Sequence, residues 1–163
     1  MRQFPFVMLL GLGLLSMMAE DRVRVQTNNV LRQNADQVIG INVNYIRDLD
    51  ANRVAGARRL ETALKDMGAR WLRYPGGEKS DYHLWSKPPF KRPRVTSLGW
   101  YGKPGGKRMD FDAYMKLVKA TGAQPYVVTA YDNKTRTGLT KDQFLQHAVA
   151  WVQYSKAKAY GVQ

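Results

Sequence analysis

Three times in this chain a helical pattern ends at a glycine and gives way to extended residues almost at once. The exits read Gly68-Ala69-Arg70-Trp71, Gly122-Ala123-Gln124-Pro125-Tyr126 and Gly161-Val162-Gln163. Glycine adopts the left-handed conformation that closes a helix at no steric cost, so each exit marks a stop. The order β-α-β-α-β-α that results calls for parallel strands covered by helices.

The elements between these stops are legible from their periods. In Val38 to Ile46, residues Ile39, Ile41, Val43 and Tyr45 share one face and Gly40, Asn42 and Asn44 the other, which predicts a first strand with an apolar back and a polar front. Val54, Ala57, Leu60, Ala63, Leu64 and Met67 recur at helical spacing up to Gly68. Trp71-Leu72-Arg73-Tyr74 is the second strand and breaks at Pro75-Gly76-Gly77. After a long basic loop, Asp110 caps a helix carrying Phe111, Tyr114, Met115, Leu117 and Val118, which ends at Gly122. Strand three is expected over Pro125 to Tyr131. Thr140 and Gln143 form a capping box for a last helix, ending at Gly161, with a broad apolar face of Phe144, Leu145, Ala148, Val149, Trp151 and Val152.

The fold class is therefore α/β. A three-stranded parallel sheet standing alone would leave its edges and one face uncovered, whereas a closed (β/α)8 barrel takes roughly 250 residues. The chain has 163 residues. The expectation is the first three β/α units of a (β/α)8 TIM barrel, truncated before strand four, with a small open three-layer α/β domain as the structural alternative.

The first residues are expected to lie outside that domain. Arg2 precedes an apolar run from Phe4 to Met18, followed by Ala19 and the charged Glu20-Asp21-Arg22. This is the order of a secretory signal peptide, and the run is shorter than the roughly 20 residues that span a bilayer. The division is 1–19 signal peptide, 20–37 polar lead and 38–163 partial barrel domain. A secreted or periplasmic location is expected, with no stable membrane span after cleavage; a retained anchor is the other reading of the same residues.

Composition closes several chemistries. The chain has no cysteine, which excludes disulfides, thiolate zinc sites and thiol nucleophiles. Its two histidines, His83 and His147, are too far apart for a ligand motif. No metal and no cofactor are expected. Lys and Arg number 26 against 13 acids, a net charge of +13 that suits an anionic partner or serves solubility alone.

The segment Arg70-Trp71-Leu72-Arg73-Tyr74-Pro75-Gly76-Gly77, followed by Tyr82 and Trp85, resembles the motif after the second strand of α-L-arabinofuranosidase-like retaining glycoside hydrolases and their relatives in the same (β/α)8 clan. The stretch from Asp110 to Val128, DFDAYMKLVKATGAQPYVV, is similar to the family's passage from helix to strand. The resemblance runs from Gly40 to about Gly161. It implies an exported enzyme acting on plant or algal polysaccharide, with a polysaccharide or oligosaccharide as partner and no nucleic acid. It also implies substrate at the C-terminal ends of the strands.

On that basis the substrate-binding candidates are Asn42, Asn44, Arg73, Glu78, Tyr82 and Trp85. A planar guanidinium such as that of Arg73 can hold a hydroxyl or carboxylate through two parallel hydrogen bonds, or serve a structural ion pair. Gly76 and Gly77 permit a tight turn and a close backbone approach. Tyr82, His83 and Trp85 could offer ring faces to a sugar or simply pack a loop. Asn42 and Asn44 could face the ligand or be satisfied internally, and Tyr131-Asp132-Asn133 holds the matching end of strand three. The sequence departs from the resemblance twice: Asn44 stands where arabinofuranosidases carry a glutamate, and Glu78 where they usually carry asparagine. A neighbouring family acting on uronic acids, agar-type galactans or xylosides therefore stays open.

Retaining hydrolysis needs two carboxyl groups about 5 to 5.5 Å apart. The resemblance places them on glutamates after strands four and seven. The chain's glutamates are Glu20, Glu61 and Glu78, so no catalytic residue is assigned and this chain alone is expected to be inactive. Between Tyr82 and Met109 lie seven Lys or Arg residues and no acid, interleaved with aromatics. Such a loop could bind nucleic acid, line a cleft for an anionic glycan, or be a solvated surface. The two functional alternatives are the N-terminal part of a glycoside hydrolase and a non-catalytic carbohydrate- or polyanion-binding α/β module.

Overall fold

A computed structural model describes residues 23–26, 28, 39–94, 107–130 and 137–162, with the side chain of Tyr82 excepted. The segment expected as a signal peptide and residues 131–133 lie outside the described residues. The chain divides into two units, Met1–Gln33 and Asn34–Gln163, and every strand and helix described belongs to the second. Among the described residues no helix is long and apolar enough to cross a membrane.

Three strands, β1 (Gly40–Asn42), β2 (Trp71–Tyr74) and β3 (Gln124–Val127), form one parallel sheet in the order β1-β2-β3. Helices α1 (Leu60–Asp66), α2 (Phe111–Thr121) and α3 (Lys141–Ala157) follow the strands in turn. The α/β class and the β-α-β-α-β-α order are as the sequence indicates. Short helical turns at Asp50–Asn52 and Glu78–Tyr82 interrupt the connections.

The boundaries move where local chemistry overrides the pattern. Strand β1 is shorter than Val38 to Ile46, although pairing continues past it through Val43 N donating to Arg73 O at 2.8 Å. Helix α1 begins at Leu60, not Val54, because Gly56 sits at φ 79° and Asp50 Oδ1 accepts from Leu60 N at 2.7 Å, in place of a cap. Val54 is left 79% exposed. Strand β3 stops at Val127, and α3 stops at Ala157, short of Gly161, where Ala159 turns to φ 52°.

The capping predictions match the structure. Asp110 Oδ1 accepts from Ala113 N at 2.8 Å, and Gly122 closes α2 at φ 70°. Thr140 Oγ1 accepts from Gln143 N while Gln143 Oε1 accepts from Thr140 N, the reciprocal pairing that satisfies two orphan donors of α3.

Alternation along the strands sorts the sheet into two faces. Leu72 and Tyr74 point into a core shared with Leu64 of α1, Phe111, Tyr114 and Met115 of α2, and Phe144 and Trp151 of α3. The Tyr114 hydroxyl donates to Leu72 O at 2.5 Å and accepts from Tyr126 N at 3.2 Å, which ties α2 to two strands at once. Asp112 accepts from Tyr154 and Tyr160 (2.9 and 2.7 Å), which joins α2 to the end of α3.

The apolar face expected on α3 is only half buried. Phe144 and Trp151 are inside with His147 and Ser155, while Leu145, Val149 and Val152 are exposed. The chain turns its histidine inward because His147 Nε2 and backbone oxygen receive Trp85 N (3.2 Å) and Trp85 Nε1 (3.0 Å). Two hydrogen bonds from one tryptophan hold that helix face against the β2–α2 loop.

Candidate functional site

The other sheet face is open. Register pairs Asn42 with Arg73 and Arg73 with Tyr126, so these three residues form one row across β1, β2 and β3. Gly40, Trp71 and Gln124 form the row beside it. The first row and the Gly40–Trp71 pair, with Ile41, line a depression of about 310 Å³. Trp71 is 41% and Tyr126 55% exposed, which is unusual enough for large rings to mark a surface with a use.

Arg73 is positioned at the C-terminal end of its strand. Its Nη1 donates to Asn42 Oδ1 at 3.3 Å, and a Cβ on Gly77 would come within 4.0 Å of that nitrogen. Gly76 takes φ 128° with Val43 O only 3.7 Å from where a Cβ would stand, so the Pro75-Gly76-Gly77 turn folds tightly over the end of β1. Glycine is required there, since other residues strain at that φ. The result is a half-buried guanidinium with donors to spare, between two exposed rings.

The sequence-derived candidates separate in space. Asn42 and Arg73 come together in the depression. Asn44 lies beyond β1, where its Oδ1 accepts from Ile46 N at 3.0 Å and its own N–H donates to Asp48 Oδ2 at 2.7 Å, which commits it to a local turn. Glu78 is exposed at the start of the Glu78–Tyr82 turn and does not line the depression. Tyr82 belongs to that turn, and its side chain lies outside the described residues. Trp85 is fully buried, stacked 5.8 Å from Trp151, so the structure makes it a core residue with no ring face for a sugar.

His83 is likewise inside, edge-on to Tyr45 at 4.5 Å and Tyr74 at 5.2 Å. Burial, aided by nearby His147, pushes its pKa down to about 3. Burial also lowers His147 to about 4. Both rings are neutral at pH 7. Among the described residues no cluster of three or more His, Asp or Glu could hold a metal ion.

Trp71 and Tyr126 are the site residues that the sequence reading missed as ligand contacts. Their signal was the alternation itself: in Trp71-Leu72-Arg73-Tyr74 the odd positions share the face of Arg73. No carboxylate lines the depression. What the arrangement offers is recognition: a fork of donors, an amide and two ring faces suit a polyhydroxylated ring, whose hydroxyls accept and whose C–H faces stack.

Over 95 residues the chain is 30% identical to proteins described as "Probable alpha-L-arabinofuranosidase C" of Aspergillus niger, Aspergillus fumigatus and Aspergillus clavatus. The match covers 56% of this chain and 17% of each of these relatives. The chain thus aligns with under a fifth of their length. No family model matches the chain, and no solved structure matches it. The similarity supports a relationship to a glycoside hydrolase-like region and agrees with the motif read around Arg73.

Proposed function

We propose that this chain is the sugar-binding N-terminal β/α portion of an exported glycoside hydrolase of the α-L-arabinofuranosidase kind, with the open sheet face as part of the barrel interior. The observation that carries the reading is the row Asn42–Arg73–Tyr126, which sets a positioned guanidinium between polar and aromatic groups at the strand ends. In this reading Arg73 binds sugar hydroxyls, Trp71 and Tyr126 pack against the ring, and Asn42 aims the guanidinium. The retaining chemistry belongs to glutamates on later strands of the barrel. The exposed flank of α3 at Leu145 and Val152, beside edge strand β3, is where a fourth β/α unit would pack.

The test is binding of the full chain to an arabino-oligosaccharide, followed by calorimetry or by chemical shifts of the Trp71 ring. Arg73→Ala is expected to weaken binding about tenfold or more, the effect of losing a charge-assisted hydrogen bond. Equal binding by Arg73→Ala and the unaltered chain would sink the proposal.

A further inference from the structure

The β2–α2 connection contains a second surface, built differently from the open sheet face. Lys87, Lys91, Arg92 and Arg94 are exposed within eight residues, and none forms an ion pair with a described residue. A basic run of this kind is ordinarily a solvated, mobile loop. Here the backbone is tied down: Arg94 N donates to Trp85 O at 2.8 Å, Phe90 N to Lys87 O at 2.6 Å, and Ser86 Oγ to Arg92 O at 2.6 Å. Phe90 adopts φ 56°, a left-handed conformation costly for a bulky residue, and its ring is buried 5.3 Å from His147. Trp85 is held to the same histidine by two hydrogen bonds. The two aromatics point inward onto α3 and the four cations are left outside.

We propose that the loop Trp85–Arg94 is a docking platform for an anionic polysaccharide, a glycan bearing uronate or sulfate groups, on the flank of α3 and separate from the Asn42–Arg73 depression. The cations are already assembled, so a polyanion need not order the loop on binding, which is the usual entropic cost of a flexible basic segment. Arg92 and Arg94 can each take a carboxylate or sulfate through two parallel hydrogen bonds, and Lys87 and Lys91 add point charges along the chain. Single-stranded nucleic acid fits less well because it relies on exposed rings for base stacking, and both rings of this loop are inside. The choice of a glycan rests on the functional reading above; the presence of a polyanion site does not.

The experiment titrates the full chain with polygalacturonate, neutral dextran and duplex DNA over a salt series. Two variants each remove four positive charges: Lys87→Gln, Lys91→Gln, Arg92→Gln and Arg94→Gln together, and, as a control, Lys116→Gln, Lys119→Gln, Lys141→Gln and Lys156→Gln together, all exposed. The loop's listed bonds are made by backbone groups and Ser86, so the platform variant keeps its fold, which its unfolding midpoint checks. The platform variant is expected to bind polygalacturonate about tenfold or more weakly at low salt, with a flatter salt dependence, because each lost phosphate-like contact removes one released counterion. The control is expected to lose less than threefold. Equal losses in the two variants mean that net charge alone binds and overturn the platform, as does no loss in either. Tighter binding of duplex DNA than of polygalacturonate overturns the glycan assignment. Arg73→Ala separates the two ideas: if it keeps polygalacturonate binding while neutral arabino-oligosaccharide binding is absent throughout, the platform stands and the functional reading falls.

Discussion

Arg73 Nη1 lies 3.3 Å from Asn42 Oδ1 across the boundary between β2 and β1, and the two residues are register partners in the parallel sheet. The contact ties a long, otherwise mobile side chain to the strand beside it. Asn42→Ala removes the tether without removing the charge, and the side chain of Asn42 is exposed. Sugar affinity is expected to fall about threefold to tenfold while stability changes by no more than about 0.5 kcal/mol, as for other exposed substitutions. Arg73→Lys is expected not to restore binding, since an ammonium lacks the planar fork. Calorimetric titration of both variants checks this, and full affinity in Arg73→Lys would show that charge alone matters.

Trp85 and His147 hold the β2–α2 loop to α3. Trp85→Phe keeps most of the ring burial but leaves the His147 carbonyl without its 3.0 Å donor. The expected loss is about 1 to 3 kcal/mol, against about 3 to 5 kcal/mol for Trp85→Ala, which also opens a cavity. Urea midpoints of the two variants give the comparison. A neutral Trp85→Phe would mean that this bond contributes nothing.

The two buried histidines make stability depend on pH. With pKa values of about 3 and about 4 in the folded chain, both stay neutral where the unfolded chain, near 6.5, takes up protons. Their contribution is complete above pH 6.5 and declines as pH falls toward the folded values, because the unfolded state then binds more protons. Between pH 7 and pH 5 each histidine is expected to cost about 2 kcal/mol. His83→Phe should flatten the decline between pH 7 and 5 by about half. An unchanged slope would show that His83 is not held neutral in the core.

Asp112 accepts hydrogen bonds from two tyrosines on or just after α3. Burial and this carboxylate, in that order, push the Tyr160 phenol up to about 12, so the hydroxyl stays protonated and keeps donating through ordinary alkaline conditions. Asp112→Ala removes both bonds and is expected to destabilise the chain by about 2 to 3 kcal/mol. Tyr160→Phe, which removes only one, should lose roughly half of that. Thermal or urea unfolding at pH 7 decides it, and equal stability of Asp112→Ala and the unaltered chain would contradict the coupling of α2 to α3.

Local chemistry was readable wherever a short stretch decides its own conformation. Asp110 with Ala113, Thr140 with Gln143, and the glycines at 68 and 122 set helix ends through groups three or four residues apart, and the alternation in Trp71 to Tyr74 put Arg73 on the polar face. The order of strands and helices followed from those stops, and so did the α/β class. Tertiary contacts decided the rest. Asp50 reached ten residues forward to start α1 at Leu60, and Trp85 drew His147 into the core while Leu145, Val149 and Val152 stayed outside. The strand register decided that Arg73 should have Asn42 on one side and Tyr126 on the other. A helical period states which residues share a face but not which neighbour that face meets, and a residue such as Trp85 has the same sequence signal whether its ring ends against a ligand or against another tryptophan. Only the packing of distant segments, driven by the area each removes from water and the polar groups it must satisfy, separates those outcomes.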